Sequence, residues 1–363
     1  LTNALKPRGP DGEGHWRNAE GTVAFGHRRL AVIDLSDAAA QPFIYSSRYT
    51  LVFNGEIYNY QELKASLKEK GYSFKTSSDT EVLAAAYDCW KSECLQKLDG
   101  MFTFAIWDEV NQELFLARDR FGEKPLYYSF KDGIFLFASE CKALWAAGVP
   151  RSWNHLMLLG YLANGHTQNA LDASITFYKN IEQIPPAHYG VFKLKEQHFS
   201  VNMYWDLDKQ MTVKMKEEEA TEQFLHLFKQ SITRRLRSDV AVGTSLSGGL
   251  DSSSIAAMIH EVVKDHSLSF SKHSFTAIFP GYEKNEKSFA EGVSTQFGLH
   301  QHTVEPTMEG LLNDWDKLCY HQEQPFGSAS VYAQFKVMEL AAKEGVTVLI
   351  DGQGADETLA ESP

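Results

Sequence analysis

The sequence is short of cysteine: Cys89, Cys94, Cys141 and Cys319 are all it has, and no two form a Cys-x-x-Cys pair. That density excludes a disulfide framework, and a reducing compartment fits better. Long apolar runs are missing too. The longest, such as Met101–Trp107, are far too short to span a bilayer, so no membrane partner is expected. The chain opens Leu-Thr-Asn-Ala-Leu-Lys-Pro, without the charged start and apolar core of a secretory signal. Cytoplasm is the expected location. Excess positive charge is absent: 35 Lys and Arg face 47 Asp and Glu, a formal net charge of -12. Nucleic acid wants a basic face, so it is not an expected partner. Internal repeats and low-complexity segments are absent as well.

What is present suffices for two domains. At roughly 100–200 residues per domain, 363 residues predict two. Over 1–206 the chain reads mostly as strands. Thr22–Leu35, Thr50–Tyr58, Met101–Glu109, Glu113–Arg118 and Ile134–Ala138 are β-branched and aromatic runs. Asn111-Gln112 and Lys131-Asp132-Gly133 supply turns. One helix follows Asn59 and stops at Gly71; another follows Asp79, whose carboxylate can cap it. This mixture predicts a layered α+β domain. Asp206–Glu219 is polar and reads as a linker, after which Phe224, Leu227, Phe228, Ile232 and Leu236 recur at helical spacing. Strand candidates Val240–Leu246, Ser274–Phe279, His300–Glu305 and Val346–Ile350 then alternate with helices. Alternation of that kind predicts an α/β, doubly wound parallel sheet over 207–363.

Two loops of the second half carry chemistry. Ser247-Gly248-Gly249-Leu250-Asp251-Ser252-Ser253 follows an apolar strand and opens a helix. Glycines let backbone approach a ligand, and amides at a helix start favour an anion. Ser247, Ser252 and Ser253 add hydroxyls. Asp251 repels phosphate by itself and makes sense as a Mg²⁺ ligand facing it. The lysine of a Walker A loop is missing. The motif resembles that of the PP-loop ATP pyrophosphatases, which bind ATP, form an acyl-adenylate and release pyrophosphate. Asp351-Gly352-Gln353-Gly354-Ala355-Asp356-Glu357 follows another apolar strand and is similar to the second signature of asparagine synthetases. The resemblance implies that Asp351 and Gly352 flank the nucleotide and that Asp356 is the second Mg²⁺ ligand. Ser245, Leu246 and Ala277 fall where family members contact the nucleotide.

The first half resembles the glutaminase half of the same enzymes. The matching segments, in order, are Arg8–Gly12, His27–Asp34, Asn54–Asn59, Ser78–Glu81, Leu98–Phe102, Ala117–Gly122 and Phe137–Glu140. Arg29 offers a fork for the α-carboxylate of glutamine and Asp79 a partner for its ammonium. The Asn54 side chain and the Gly55 amide suit the oxyanion formed when the side-chain amide is cleaved. Each residue alone has a plain reading: Arg29 a surface charge, Asp79 a helix cap, Asn54-Gly55 a type I′ turn. By resemblance Leu30, Ala31, Val32, Ile33 and Glu56 also contact glutamine. The resemblance thus implies a glutamine-hydrolysing asparagine synthetase: an Ntn-hydrolase-like domain of layered antiparallel sheets, then a PP-loop domain. Glutamine, aspartate and ATP with Mg²⁺ are the implied small-molecule partners, and a homodimer is left open.

Three departures bear on chemistry. The family nucleophile is an N-terminal cysteine, and Leu1 stands first here. Thr2 is not terminal and cannot substitute, and Cys89, Cys94 and Cys141 read as helical core. The chain ends at Pro363, before the helical region in which relatives carry a pyrophosphate-binding lysine. The resemblance therefore reads as truncated at both ends. Gln353 replaces a glutamate; Gln cannot act as a base but can hydrogen-bond a substrate. That leaves two other readings: amidation of a sugar acid or peptide carboxylate, or a non-catalytic nucleotide-binding relative. His300-Gln301-His302, Cys319-Tyr320-His321, His27 and His188 read as surface or core residues, not metal ligands.

Overall fold

The computed structural model describes residues 1–266, 270–282 and 285–355. It divides into two compact units, Leu1–Gln210 with Glu323–Gly327, and Met211–Gln322 with Ser328–Pro363.

The strands of the first unit are β1 (Gly12–Arg17), β2 (Ala24–Arg29), β3 (Phe43–Tyr45), β4 (Tyr49–Ile57), β5 (Gly100–Asp108), β6 (Glu113–Arg118), β7 (Tyr127–Lys131), β8 (Ile134–Ala138), β9 (Glu182–Gln183), β10 (His188–Lys193) and β11 (His198–Met203). Its helices are α1 (Tyr60–Glu69), α2 (Asp79–Trp90), α3 (Cys141–Ala146) and α4 (His155–Asn164). One antiparallel sheet runs β11-β10-β6-β5-β4-β3, a second β8-β7-β9, and β1 pairs with β2. Alternate residues of the central strands bury opposite faces. Phe102, Phe104 and Ile106 pack with α1 and α2 through Leu63, Leu67, Val82 and Leu83. Ala105 and Trp107 pack with Phe25, Leu126 and Tyr128 of the other layer. This is why Met101–Trp107 is apolar without alternation: both faces of β5 are covered.

The second unit holds α5 (Glu217–Arg235), β12 (Val242–Ser245), α6 (Leu250–His266), β13 (His273–Ala277), α7 (Lys287–Phe297), β14 (His300–Val304), α8 (Met308–Gln322), α9 (Ser330–Lys343) and β15 (Val348–Ile350). Its parallel sheet has the order β14-β13-β12-β15. Helices cover both faces: Ser274 meets Ser294 of α7, while Phe275 packs on Val337 and Ala341 of α9. The order reverses between β12 and β15, so the carboxyl ends of these strands flank a topological switch point, where such sheets bind ligands. The fold class is therefore as the sequence implies, an α+β unit followed by an α/β unit.

The expected strand Thr22–Leu35 ends early, at Arg29, whose side chain bends the next residues out of the sheet. Its guanidinium donates to the carbonyls of Ser36 (2.9 Å), Ile33 (3.4 Å) and Asp34, holding them in a loop. Among the described residues, no helix is long and apolar enough to cross a membrane.

Candidate active sites

A cavity of about 560 Å³ in the first unit is walled by Arg29, Asn54, Gly55, Glu56 and Asp79, with Leu30, Val32 and Ile33 at one lip. The decisive geometry is the edge of β4. Its partner β3 pairs only as far as Leu51, so beyond that point every second residue presents its backbone to an open edge. The Phe53 amide donates to Gln41 Oε1 at 2.6 Å and the Ile57 amide to Asp79 Oδ2 at 3.0 Å. Gly55 lies midway between them at the same parity, so its N–H points from the same edge into the cavity. Gly55 has φ +147, and a Cβ there would lie 2.0 Å from the Met101 carbonyl oxygen; only glycine fits. The type I′ turn reading is overturned, since Asn54 and Gly55 pair with Thr103 and Phe102 inside a continuous strand.

Asp79 is buried, and burial pushes its carboxyl up to about 6 against the opposing Ile57 amide. Its Oδ1 accepts Ser78 Oγ at 3.4 Å. A carboxylate so desolvated gains from a cation brought beside it. The N-cap is Ser78, whose Oγ accepts from the Thr80 amide at 3.1 Å, while Asp79 Oδ2 faces β4. His27 Nε2 donates to the Phe53 carbonyl at 3.1 Å, and burial pushes its imidazole down to about 4, so it is neutral. Ala31 does not line the cavity; its amide donates to Asp11 Oδ2 at 2.9 Å. No cysteine lines it among the described residues. Cys94 and Cys141 are buried and burial raises both thiols, as expected of core.

Sequence reasoning missed several wall residues. Gln41, which takes the Phe53 amide, sits in a loop with no local signal. Lys124 lines the cavity, and burial lowers its ammonium against the opposing pull of Glu56. Arg8 and Glu140 lie in matched segments but reach the wall through a 2.6 Å ion pair across the chain, a link no local pattern displays.

In the second unit the loop after β12 closes on itself. Ser247 Oγ and Ser252 Oγ are 3.0 Å apart; the Gly248 amide donates to Ser252 Oγ (3.2 Å) and the Gly249 amide to Ser247 Oγ (3.1 Å). Ser253 Oγ is buried with no hydrogen-bond partner among the described residues. An orphaned hydroxyl beside amides at a helix start fits an oxygen-rich anion. The second loop touches the first: a Cβ at Gly352 would lie 3.1 Å from Asp251 Cβ. Asp351 Oδ1 accepts the Gly352 amide at 2.7 Å. Leu246 is buried and accepts Thr276 Oγ1 at 2.6 Å; Ser245 and Ala277 end neighbouring strands. Gln353 is exposed in the turn, and Asp356 lies outside the described residues. Among the described residues no group of three or more His, Cys, Asp or Glu is placed to hold a metal. His302 instead bonds His273 at 2.8 Å.

The glutamine amidotransferase domain family matches residues 1–205, and the asparagine synthase family matches 223–361. The chain belongs to the glutamine-hydrolysing asparagine synthetase family. It is 32% identical to asparagine synthetase [glutamine-hydrolyzing] 3 of Bacillus subtilis, over 100% of this chain and 60% of that one. It is 31% identical to a putative asparagine synthetase 2 of Methanocaldococcus jannaschii, over 98% of this chain and 70% of that one. Amidase chry2 of Gibberella zeae is 31% identical over 96% of this chain and 53% of its own. The chain thus spans little more than half the length of several asparagine synthetase relatives.

Proposed function

We propose that the protein is a glutamine-dependent, amide-forming ligase, with 1–206 as its glutaminase domain and 207–363 as its ATP-pyrophosphatase domain. One observation supports it above others: a single chain holds a cavity with a free strand-edge amide beside a buried carboxylate, and a glycine- and serine-rich loop at a sheet switch point. In the cavity Asp79 receives the ammonium of glutamine and Arg29 its carboxylate. Asn54 and the Gly55 amide stabilise the oxyanion, and glutamine plus water gives glutamate and ammonia. In the second unit a carboxylate attacks the α-phosphorus of ATP and pyrophosphate leaves, held by the amides and hydroxyls of Ser247–Ser253. Ammonia then displaces AMP from the acyl-adenylate, giving the amide. Mg²⁺, when bound, neutralises phosphate charge; Asp251 is the described carboxylate suited to hold it, with Asp356 as the proposed second. Aspartate is the leading acceptor, and a soluble, cytoplasmic enzyme is the corresponding setting.

A second acceptor class is favoured by Gln353, which the amidase-named relatives make worth testing. The test uses the full-length protein with glutamine, ATP and a panel of acids comprising aspartate, sugar acids and peptide carboxylates. Glutamate and AMP should appear in equal amounts with one class of acid. ADP release, or glutamate release with no acid-dependent AMP, would refute the proposal. If Gln353→Glu leaves acid preference and amide yield unchanged, aspartate becomes the better acceptor.

A further inference from the structure

Between α8 and α9, both of the second unit, Glu323–Gly327 folds with the first. Glu323 has φ 63, a left-handed backbone that a glutamate keeps only where contacts enforce it. Those contacts are specific. Its carboxylate accepts the amides of Cys141 (2.7 Å) and Lys142 (2.8 Å) at the start of α3. Lys142 Nζ lies 3.1 Å from the same carboxylate and 2.9 Å from Glu140 Oε2. Glu140 Oε1 in turn accepts Arg8 Nε at 2.6 Å. Tyr178 OH donates to the Glu323 carbonyl, and Tyr161 OH to the Phe326 carbonyl at 2.9 Å.

The side chains of Lys142, Glu140 and Glu323 are only 7%, 8% and 8% exposed. Buried charges persist only while partnered, so displacing one member obliges the others to move. Arg8 and Glu140 line the glutamine cavity. Behind Arg8, Asp11 binds both neighbours of Leu30: its amide donates to the Arg29 carbonyl (3.0 Å) and its carboxylate accepts the Ala31 amide (2.9 Å). Contacts from Glu323 to Arg8, continued by the covalent run from Arg8 to Asp11 and by the bonds of Asp11, therefore reach the cavity lip. At the other end, Asp314 of α8 accepts Tyr332 OH (3.0 Å) and Lys336 Nζ (3.2 Å) of α9. The two helices that flank the segment in sequence are thus tied together, and α9 packs on β13, whose end adjoins the nucleotide loop.

We propose that Glu323 is a positioning residue for the glutamine cavity, and that 323–327 is the path by which ligands of the second unit change glutamine affinity in the first. The inference rests on the glutamine-and-ATP reading above. Its test measures glutamate release by the full-length protein, with and without ATP and acceptor acid, and AMP formation driven by added ammonia. In the unaltered protein, ATP and acid should change the glutamine KM by about threefold or more. Glu323→Gln should raise the KM without ligands on the order of tenfold and bring the ratio to one, with kcat and ammonia-driven AMP formation held within about twofold. Should the single variant fold poorly, Lys142→Met with Glu323→Gln removes both charges and reads the same ratio. An unchanged ratio, or equal loss of glutamine- and ammonia-driven activity in both variants, overturns the inference. Absence of glutamine-dependent AMP in the unaltered protein overturns the functional reading instead.

Discussion

Asp79 sets a buried carboxyl on the wall of the cavity in the first unit. Its folded pKa, about 6, lies above the unfolded value of 3.8. The neutral form is favoured by the fold, so Asp79 adds to stability at low pH, and that contribution is lost as pH rises through about 6. On the proposed role of Asp79, glutamine binding has the opposite sign, because the ammonium would need the charged form. Glutamine Kd, followed by calorimetry, should therefore rise as pH falls through about 6. Asp79→Asn should weaken binding roughly 10- to 150-fold, about 1.5–3 kcal/mol for a charged hydrogen bond. The same variant should melt higher than the unaltered protein near neutral pH, since a buried charge is gone. A lower melting temperature with unaltered glutamine affinity would contradict both roles. In the second unit, Asp251→Ala should reduce acid-dependent pyrophosphate release by about 100-fold or more, because phosphate charge loses its counter-ion. Undiminished release would remove Asp251 from the site.

At the scale of elements, the free edge of β4 makes the cavity, and α2 delivers Asp79 to it. Gly55→Ala drives a Cβ against the Met101 carbonyl, so denaturant unfolding should show a loss of about 3 kcal/mol or more. Ser78→Ala should cost about 1 kcal/mol, the usual worth of an N-cap, and leave α2 in place. β4, β5, β6 and β8 were legible because their runs are apolar and β-branched. The hairpin strand β1 was not: Gly-Glu-Gly-His-Trp-Arg has two glycines and little propensity for a strand. Likewise β9 spans Glu182–Gln183 and exists only through its pairing with β7. That Asn54, Gly55 and Asp79 share one cavity wall agrees with their grouping by short matched segments. The parity that aims the Gly55 amide could not be read from such segments, since it depends on β3 stopping at Leu51 and on Gln41 reaching Phe53.

For the whole molecule, the proposed pair of reactions joined by ammonia would account for one chain carrying both the cavity of the first unit and the glycine- and serine-rich loop of the second. The proposed path through the ion pairs from Glu323 to Arg8 is the means by which the two would act in step. Adenylation is the claim on which the rest depends, and it leaves an isotopic trace. The full-length protein would be given ATP, glutamine labelled with ¹⁵N in its amide, and an acceptor acid labelled with ¹⁸O in its carboxylate. Mass spectrometry should find one ¹⁸O in the AMP released and ¹⁵N in the product amide, because a carboxylate oxygen passes to the α-phosphorus when the acyl-adenylate breaks down. Unlabelled AMP, or label in ADP or inorganic phosphate instead, would contradict activation through an adenylate.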